Sequence, residues 1–176
     1  MGREVSLPRP ILFLDVDGPL NPYAAHSALR PDGYVLHKIE PFEGTGEFDV
    51  WLNPAHGPML LDLAEKARAE LVWATTWGHQ ANEHIGHRIG LPELPVVEFG
   101  RISAKTWKWR AVAKYAEDRP LAWLDDDFDT FSVPGRDDFN DERRGYPTLL
   151  EPISPRLGIT VLDLADVADW MARHAR

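Results

Sequence analysis

The sequence contains no cysteine. Disulfides, zinc–thiolate centres, iron–sulfur clusters and cysteine nucleophiles are thereby excluded. Long apolar runs are missing too. Nothing approaches the roughly 18 consecutive apolar residues of a membrane span. The run Ile11–Leu14 is too short for the hydrophobic region of a signal peptide. A cytoplasmic location without a membrane partner is expected. Positive charge is scarce, with 19 Lys and Arg against 28 Asp and Glu and a net charge of −9. A global electrostatic grip on nucleic acid is therefore not expected. Internal repeats and low-complexity linkers are absent. What is present is ordinary for a globular chain: 176 residues, 44% hydrophobic and 27% charged. At roughly 150 residues per domain that makes one domain, 1–176.

The strand and helix signals alternate. Ile11–Leu14, Leu71–Ala74 and Leu121–Leu124 are short apolar runs that read as buried strands. Pro95–Phe99 and Thr148–Ile153 are expected as two more. Helices are expected over Pro58–Glu70, Trp77–Ile89 (stopping at Gly90), Ser103–Glu117 and Thr160–Arg173. In the last helix Leu162, Leu164, Val167 and Trp170 would face inward. Tyr34–Ile39 and Phe48–Leu52 suit a hairpin, and polar Phe128–Tyr146 reads as loop. The implied fold is α/β, a Rossmann-like parallel sheet of about five strands with helices on both faces. Residues 19–57 form a small flap.

Polar residues collect where open α/β sheets place their ligand crevice, at the C-terminal strand ends. The first strand ends in Asp15-Val16-Asp17-Gly18, the second in Thr75-Thr76, the fourth in Asp125-Asp126-Asp127. Lys105 and Lys108 begin the helix before the fourth strand. Crowded carboxylates repel one another unless a cation sits among them. Oxygen ligands without histidine or thiolate favour magnesium over zinc. A carboxylate beside a metal-bound phosphate is a competent nucleophile. A second, two residues on, suits proton transfer to the leaving oxygen.

Asp15-Val16-Asp17-Gly18-Pro19-Leu20 after a buried strand resembles the first motif of the haloacid dehalogenase (HAD) superfamily. Leu71–Thr75 resembles its second motif, Lys105 stands where the third-motif lysine is expected, and Leu124-Asp125-Asp126 resembles the fourth. More narrowly, Asp15–Asn21, Trp73–Gly78 and Trp123–Asp126 resemble a bacterial group, the HAD domains of Swiss Army Knife RNA repair proteins. The resemblance implies a Mg²⁺-dependent phosphatase. Asp15 would be nucleophile and metal ligand. Asp17 would be general acid/base, with its main-chain carbonyl on the metal. Thr75 would hold the phosphoryl group, and Lys105 would neutralise the aspartyl-phosphate. Asp126 is the preferred fourth-motif metal ligand. Asp125 either joins it or positions water or lysine. Gly18, Thr76, Trp77 and Lys108 are further candidates for substrate contact, with Thr76 a rival to Thr75 and Lys108 to Lys105. Pro19 departs from the Thr that many members carry there.

Other polar residues have plainer readings. His79, His84 and His87 lack the i, i+4 spacing of helical zinc ligands and read as surface or packing residues. Trp73, Trp123 and Trp170 are expected in the core, while Trp51, Trp77, Trp107 and Trp109 are freer. The segment between the second and third motifs leaves no room for a cap, and about 38 residues from Leu20 to Pro58 allow only the flap. An open site of this family suits a phosphorylated small molecule or a nucleic-acid end. Arg101–Arg119 holds six basic residues and two acidic ones, which would attract a polyanion. Asp125–Glu142 holds eight acidic residues and one arginine, which would repel it. A non-catalytic binding module on the same scaffold is the remaining alternative.

Overall fold

The computed structural model describes residues 8–100, 107–130 and 135–174. Its centre is a parallel sheet of four strands: β1 (Ile11–Leu14), β4 (Glu70–Trp73), β5 (Leu121–Asp125) and β6 (Thr148–Pro152), in the order β4-β1-β5-β6. Strands β2 (Val35–Ile39) and β3 (Phe48–Leu52) pair antiparallel as the expected hairpin. Helices α1 (His56–Ala67), α2 (Trp109–Ala116), α3 (Arg136–Arg143) and α4 (Val161–His174) complete the regular elements discussed below.

All four residues of β1 are buried, because the sheet is covered on both faces. Alternation divides them. Leu12 and Leu14, with Leu71, Trp73, Ala122 and Leu124, pack in the cluster that includes Leu60 and Leu63 of α1, and Leu164, Val167 and Met171 of α4. Ile11 and Phe13, with Val72, Leu121 and Trp123, pack in the cluster containing Val112 of α2 and Phe139 of α3. Gly57 permits the approach of α1 to the segment before Gly90. A Cβ there would sit 1.7 Å from the Ile89 carbonyl oxygen.

Several sequence expectations are corrected. Pro95–Phe99 forms no strand. It makes a single bridge, Val96 to Trp73, flanked by hydrogen bonds to the Pro95 carbonyl and from the Val97 N–H. The sheet therefore has four strands rather than five. The expected helix Trp77–Ile89 is a π-turn over Ala81–Ile85 followed by a 3₁₀ turn over Gly86–Ile89. Asn82 explains part of this. Its side chain accepts from Trp73 Nε1 at 2.8 Å and from Leu94 N, and donates to the Leu94 carbonyl. That tether fixes the segment to β4 in place of regular helical spacing. Helix α1 ends at Ala67, short of Glu70, because Arg68 turns left-handed (φ 53°) and frees Glu70 for the sheet.

Helix α3 arises inside the expected loop. Its sequence has one apolar residue, Phe139, so periodicity is silent there. Tertiary contacts supply what periodicity lacks. Phe139 packs on Trp109 and Trp123, and buried Arg143 donates to the carbonyls of Glu117 and Arg119. On α4 the buried positions are Leu164, Val167 and Met171, whereas Leu162 is 73% exposed and Trp170 only half-buried. Leu162 lies about 200° around the helix from Leu164.

Helix α2 begins at Trp109, not at Ser103, which lies outside the described residues. Trp107 has a positive φ of 21°, which no α-helix contains. Packing requires the break. Trp107 and Trp109 are both buried, against the expectation that they are free, and their rings meet at 4.5 Å beside Trp123. Residues i and i+2 of a helix point to opposite sides, so one helix could not place both rings in that cluster. Lys108, between them, is left at the helix entry with its side chain turned elsewhere.

Candidate active site

The C-terminal ends of β1, β4 and β5 converge. Ala74 N–H donates to the Leu14 carbonyl at 2.9 Å, and Asp15 N–H to the Leu124 carbonyl at 3.1 Å. Asp15, Asp125 and Asp126 thus each offer a carboxylate oxygen within 4.8 Å of one another. Lys108 Nζ donates to Asp15 Oδ2 and to Asp125 Oδ2, both at 2.6 Å. The ammonium and both carboxylates are buried. The remaining oxygens are also held: Asp15 Oδ1 by Val16 N–H at 2.7 Å, and Asp125 Oδ1 by Asp127 N–H at 3.0 Å.

The charges are strongly perturbed. Burial pushes the Asp125 carboxyl up, and the neighbouring Asp15 charge adds to this. Burial would lower the Lys108 ammonium, yet the two carboxylates raise it above its ordinary value. Burial also pushes Asp126 up to about 6. Among the described residues such a set is short of positive charge, and its donors are all hard oxygens. It fits a magnesium-sized divalent cation.

Asp126 reaches this cluster because Gly18 makes room. Gly18 has φ +89°, and a Cβ there would lie 2.4 Å from Asp126 Cγ. Tyr23 Oη then donates to Asp126 Oδ2 at 2.8 Å. Asp17 sits beside the cluster, half-buried, with both carboxylate oxygens accepting. Asn21 Nδ2 donates to Oδ1 at 2.8 Å, and Trp77 Nε1 to Oδ2 at 2.9 Å. Burial raises its affinity for a proton more than these bonds lower it. Asn21 also accepts from Trp51 N–H of β3 at 3.0 Å, which ties the hairpin to Asp17.

An open cleft of about 490 Å³ is lined by Asp15, Asp17, Lys108, Asp126, Thr76 and Tyr23, among others. The residues named from the sequence therefore differ in their placement. Asp15, Asp17, Asp126, Thr76 and Lys108 meet at the cleft, and Asp125 is buried behind it. Trp77 touches Asp17, and Gly18 backs Asp126. Thr75 is wholly buried, with its hydroxyl oxygen accepting from Trp77 N–H at 3.3 Å, whereas Thr76 is exposed. Lys105 lies outside the described residues. The histidines lie apart from the cluster: His79 pairs with Glu98, and His84 with Gln80.

Asn21 and Tyr23 are the site residues that the sequence reading passed over. Asn21 reads as a turn-former beside Pro22. Its distance from Asp17, four residues, is the only signal of the contact.

With this geometry, the comparison with known families is decisive. The model of the HAD domain in Swiss Army Knife RNA repair proteins matches residues 11–159. The chain belongs to this family. The match runs from β1 through the residues that lead into α4, so it takes in every strand and the whole acidic cluster. No curated protein matches the chain. The HAD-type sheet accounts for the placement of the site, because its strand order puts β1 between β5, whose end supplies Asp125 and Asp126, and β4, whose end brings Thr76 to the cleft. No helix among the described residues is long and apolar enough to cross a membrane.

Proposed function

We propose that the protein is a magnesium-dependent phosphomonoester hydrolase working through an aspartyl-phosphate on Asp15. The observation that carries this reading is the buried pair Asp15 and Asp125 bridged by Lys108, with half-buried Asp126 completing the acidic cluster and Asp17 two residues beyond Asp15. Membership of the HAD family supports it.

Asp15, Asp126 and Asp125 would hold the cation, with the Asp17 carbonyl. The cation would neutralise and polarise the phosphoryl oxygens. The Asp15 carboxylate attacks phosphorus while the bond to the leaving oxygen breaks. Asp17, whose raised proton affinity suits an acid, gives its proton to that oxygen. In the second half, Asp17 takes a proton from the attacking water, and inorganic phosphate leaves Asp15. Lys108 takes the place of Lys105 in this account, because it already touches Asp15 and holds the charge of the nucleophile steady. One hydroxyl of the Thr75-Thr76 pair holds a phosphoryl oxygen, and Thr75→Val against Thr76→Val separates them. Residues 19–57, with the β2–β3 hairpin, serve as a flap on a single domain.

Asp15→Asn is expected to reduce phosphate release from a generic aryl phosphate to background with an unchanged circular dichroism spectrum. EDTA is expected to abolish turnover and magnesium to restore it. Normal turnover in Asp15→Asn, or indifference to chelation, rejects the mechanism. Phosphate release from no substrate at all favours a binding module.

A second reading, action on nucleic-acid ends, is favoured by the description of the matching family. The basic stretch Arg101–Arg119 supports it less than its composition suggests. Lys108 is consumed in the site and Arg119 is paired with Glu70 at 2.6 Å. Phosphorylated oligonucleotides tested beside nucleotides and sugar phosphates decide between the readings.

A further inference from the structure

A second pocket, of about 400 Å³, adjoins the cleft and shares Asp17, Tyr23 and Thr76 with it. Its walls are of another kind. Phe42 and Phe48 come from the flap, Trp77 from the segment after β4, and Val50 from β3. Phe42 and Phe48 are 54% and 50% exposed and line the same pocket, so they present a shared apolar wall rather than scattered single residues. Among the described residues, no lysine or arginine lines this pocket. Its two carboxylates are Asp17 and Asp49, and Asp49 is already paired with Lys38 at 2.7 Å.

The position of Asp17 gives the pocket its meaning. A general acid must stand between the phosphorus and the group that departs, within reach of the bridging oxygen. Asp17 lines both spaces. The phosphoryl group belongs on the side of Asp15 and Lys108, so the leaving group extends past Asp17 into the aromatic pocket. The geometry points to a leaving-group subsite between Trp77, Tyr23 and the flap phenylalanines, specific for a flat aromatic group without negative charge. This rests on the phosphatase reading for the direction of the substrate, and it narrows the substrate class. An extended polyanion finds no cation among the described residues of these walls. A monophosphate ester carrying one aromatic ring finds stacking partners and an apolar floor.

Binding and turnover test the inference separately. Calorimetric titration of the magnesium-loaded protein with benzylphosphonate and with ethylphosphonate compares two non-hydrolysable ligands that differ in the ring. Benzylphosphonate is expected to bind about 10-fold more tightly, as one aromatic stack allows. Phe42→Ala and Phe48→Ala are expected to take the ratio toward one. Both residues are half-exposed, so these variants should fold, which their thermal transitions verify. Equal binding of the two ligands, or a ratio unmoved in both variants, overturns the subsite. In turnover, benzyl phosphate is expected to exceed ethyl phosphate in kcat/KM by a similar factor, since both release alcohols. Absence of any turnover, with the binding ratio intact, would reject the hydrolase and keep the subsite. Turnover of both esters at equal kcat/KM would reject the subsite and keep the hydrolase.

Discussion

Removal of the Lys108 ammonium tests the centre of the site most directly. Lys108→Met keeps the length and apolar stem of the side chain and deletes its charge. Lys108 is 3% exposed and donates to two carboxylates at 2.6 Å. Hydrogen bonds to charged groups contribute about 1.5–3 kcal/mol each, and breaking a buried ion pair costs about 3–5 kcal/mol. Relief comes from protonation. Asp125 is already pushed up by burial and by Asp15, so without the lysine it takes a proton, and each unit of pKa shift offsets about 1.4 kcal/mol.

The sign follows from the direction of the shift. A carboxyl whose folded pKa lies above its unfolded value supports the fold below the unfolded pKa. That support is lost as pH rises through the folded value. The deficit of Lys108→Met therefore grows with pH. Urea unfolding without metal is expected to give a loss of about 3 kcal/mol at pH 8 and clearly less at pH 5. Turnover with magnesium is expected to fall by about 100-fold or more, the effect of losing one preorganised charge at a developing anion. Lys108→Arg should recover part of the stability and little of the turnover, because a guanidinium does not fit the space of an ammonium. A loss under about 1 kcal/mol with no pH dependence would place Lys108 among ordinary lysines and refute the reasoning.

Gly18→Ala places a methyl against Asp126 in a left-handed backbone; magnesium affinity by calorimetry is expected to fall at least about 10-fold with the sheet intact. Because Asp126 is pushed up to about 6 and must ionise to bind metal, the thermal stabilisation by magnesium is expected to be larger at pH 7.5 than at pH 5. Trp77→Phe removes a hydrogen bond that lowers the Asp17 pKa. The alkaline limb of kcat/KM is then expected to move to higher pH, while a profile that stays in place refutes Trp77 as a positioning residue.

The parts of this molecule legible in its sequence share one property: local pattern and tertiary role agree. Ile11–Leu14 is apolar because both its faces are covered, and the acids that follow mark its end. The same holds for Leu121–Asp125, and for the hairpin, whose two strands carry the expected residues. Where pattern and packing part, reading failed. Arg136–Arg143 is helical through Phe139 and the Arg143 contacts, which no periodicity displays. Trp77–Ile89 has helical spacing but is bound to β4 through Asn82. Lys108 was visible only as one of two lysines on an assumed helix. The tripeptide Trp107-Lys108-Trp109 held the information, since two large rings in one cluster require an irregular backbone that turns the residue between them away.

The same irregularity explains how the site tolerates its own repulsion. Asp15, Asp125 and Asp126 bring three carboxylates together, and among the described residues Lys108 supplies the positive charge that touches them. Asp125 and Asp126 are left with raised proton affinity, a cost that the proposed divalent ion would offset on binding. Tyr23 moderates this cost without cancelling it. Its phenol donates to Asp126, and burial together with that carboxylate keeps the phenol protonated. Under the proposed metal dependence, the ion would offset the repulsion at the strand ends, while the large aromatic cluster under β5 supplies packing to the fold around them.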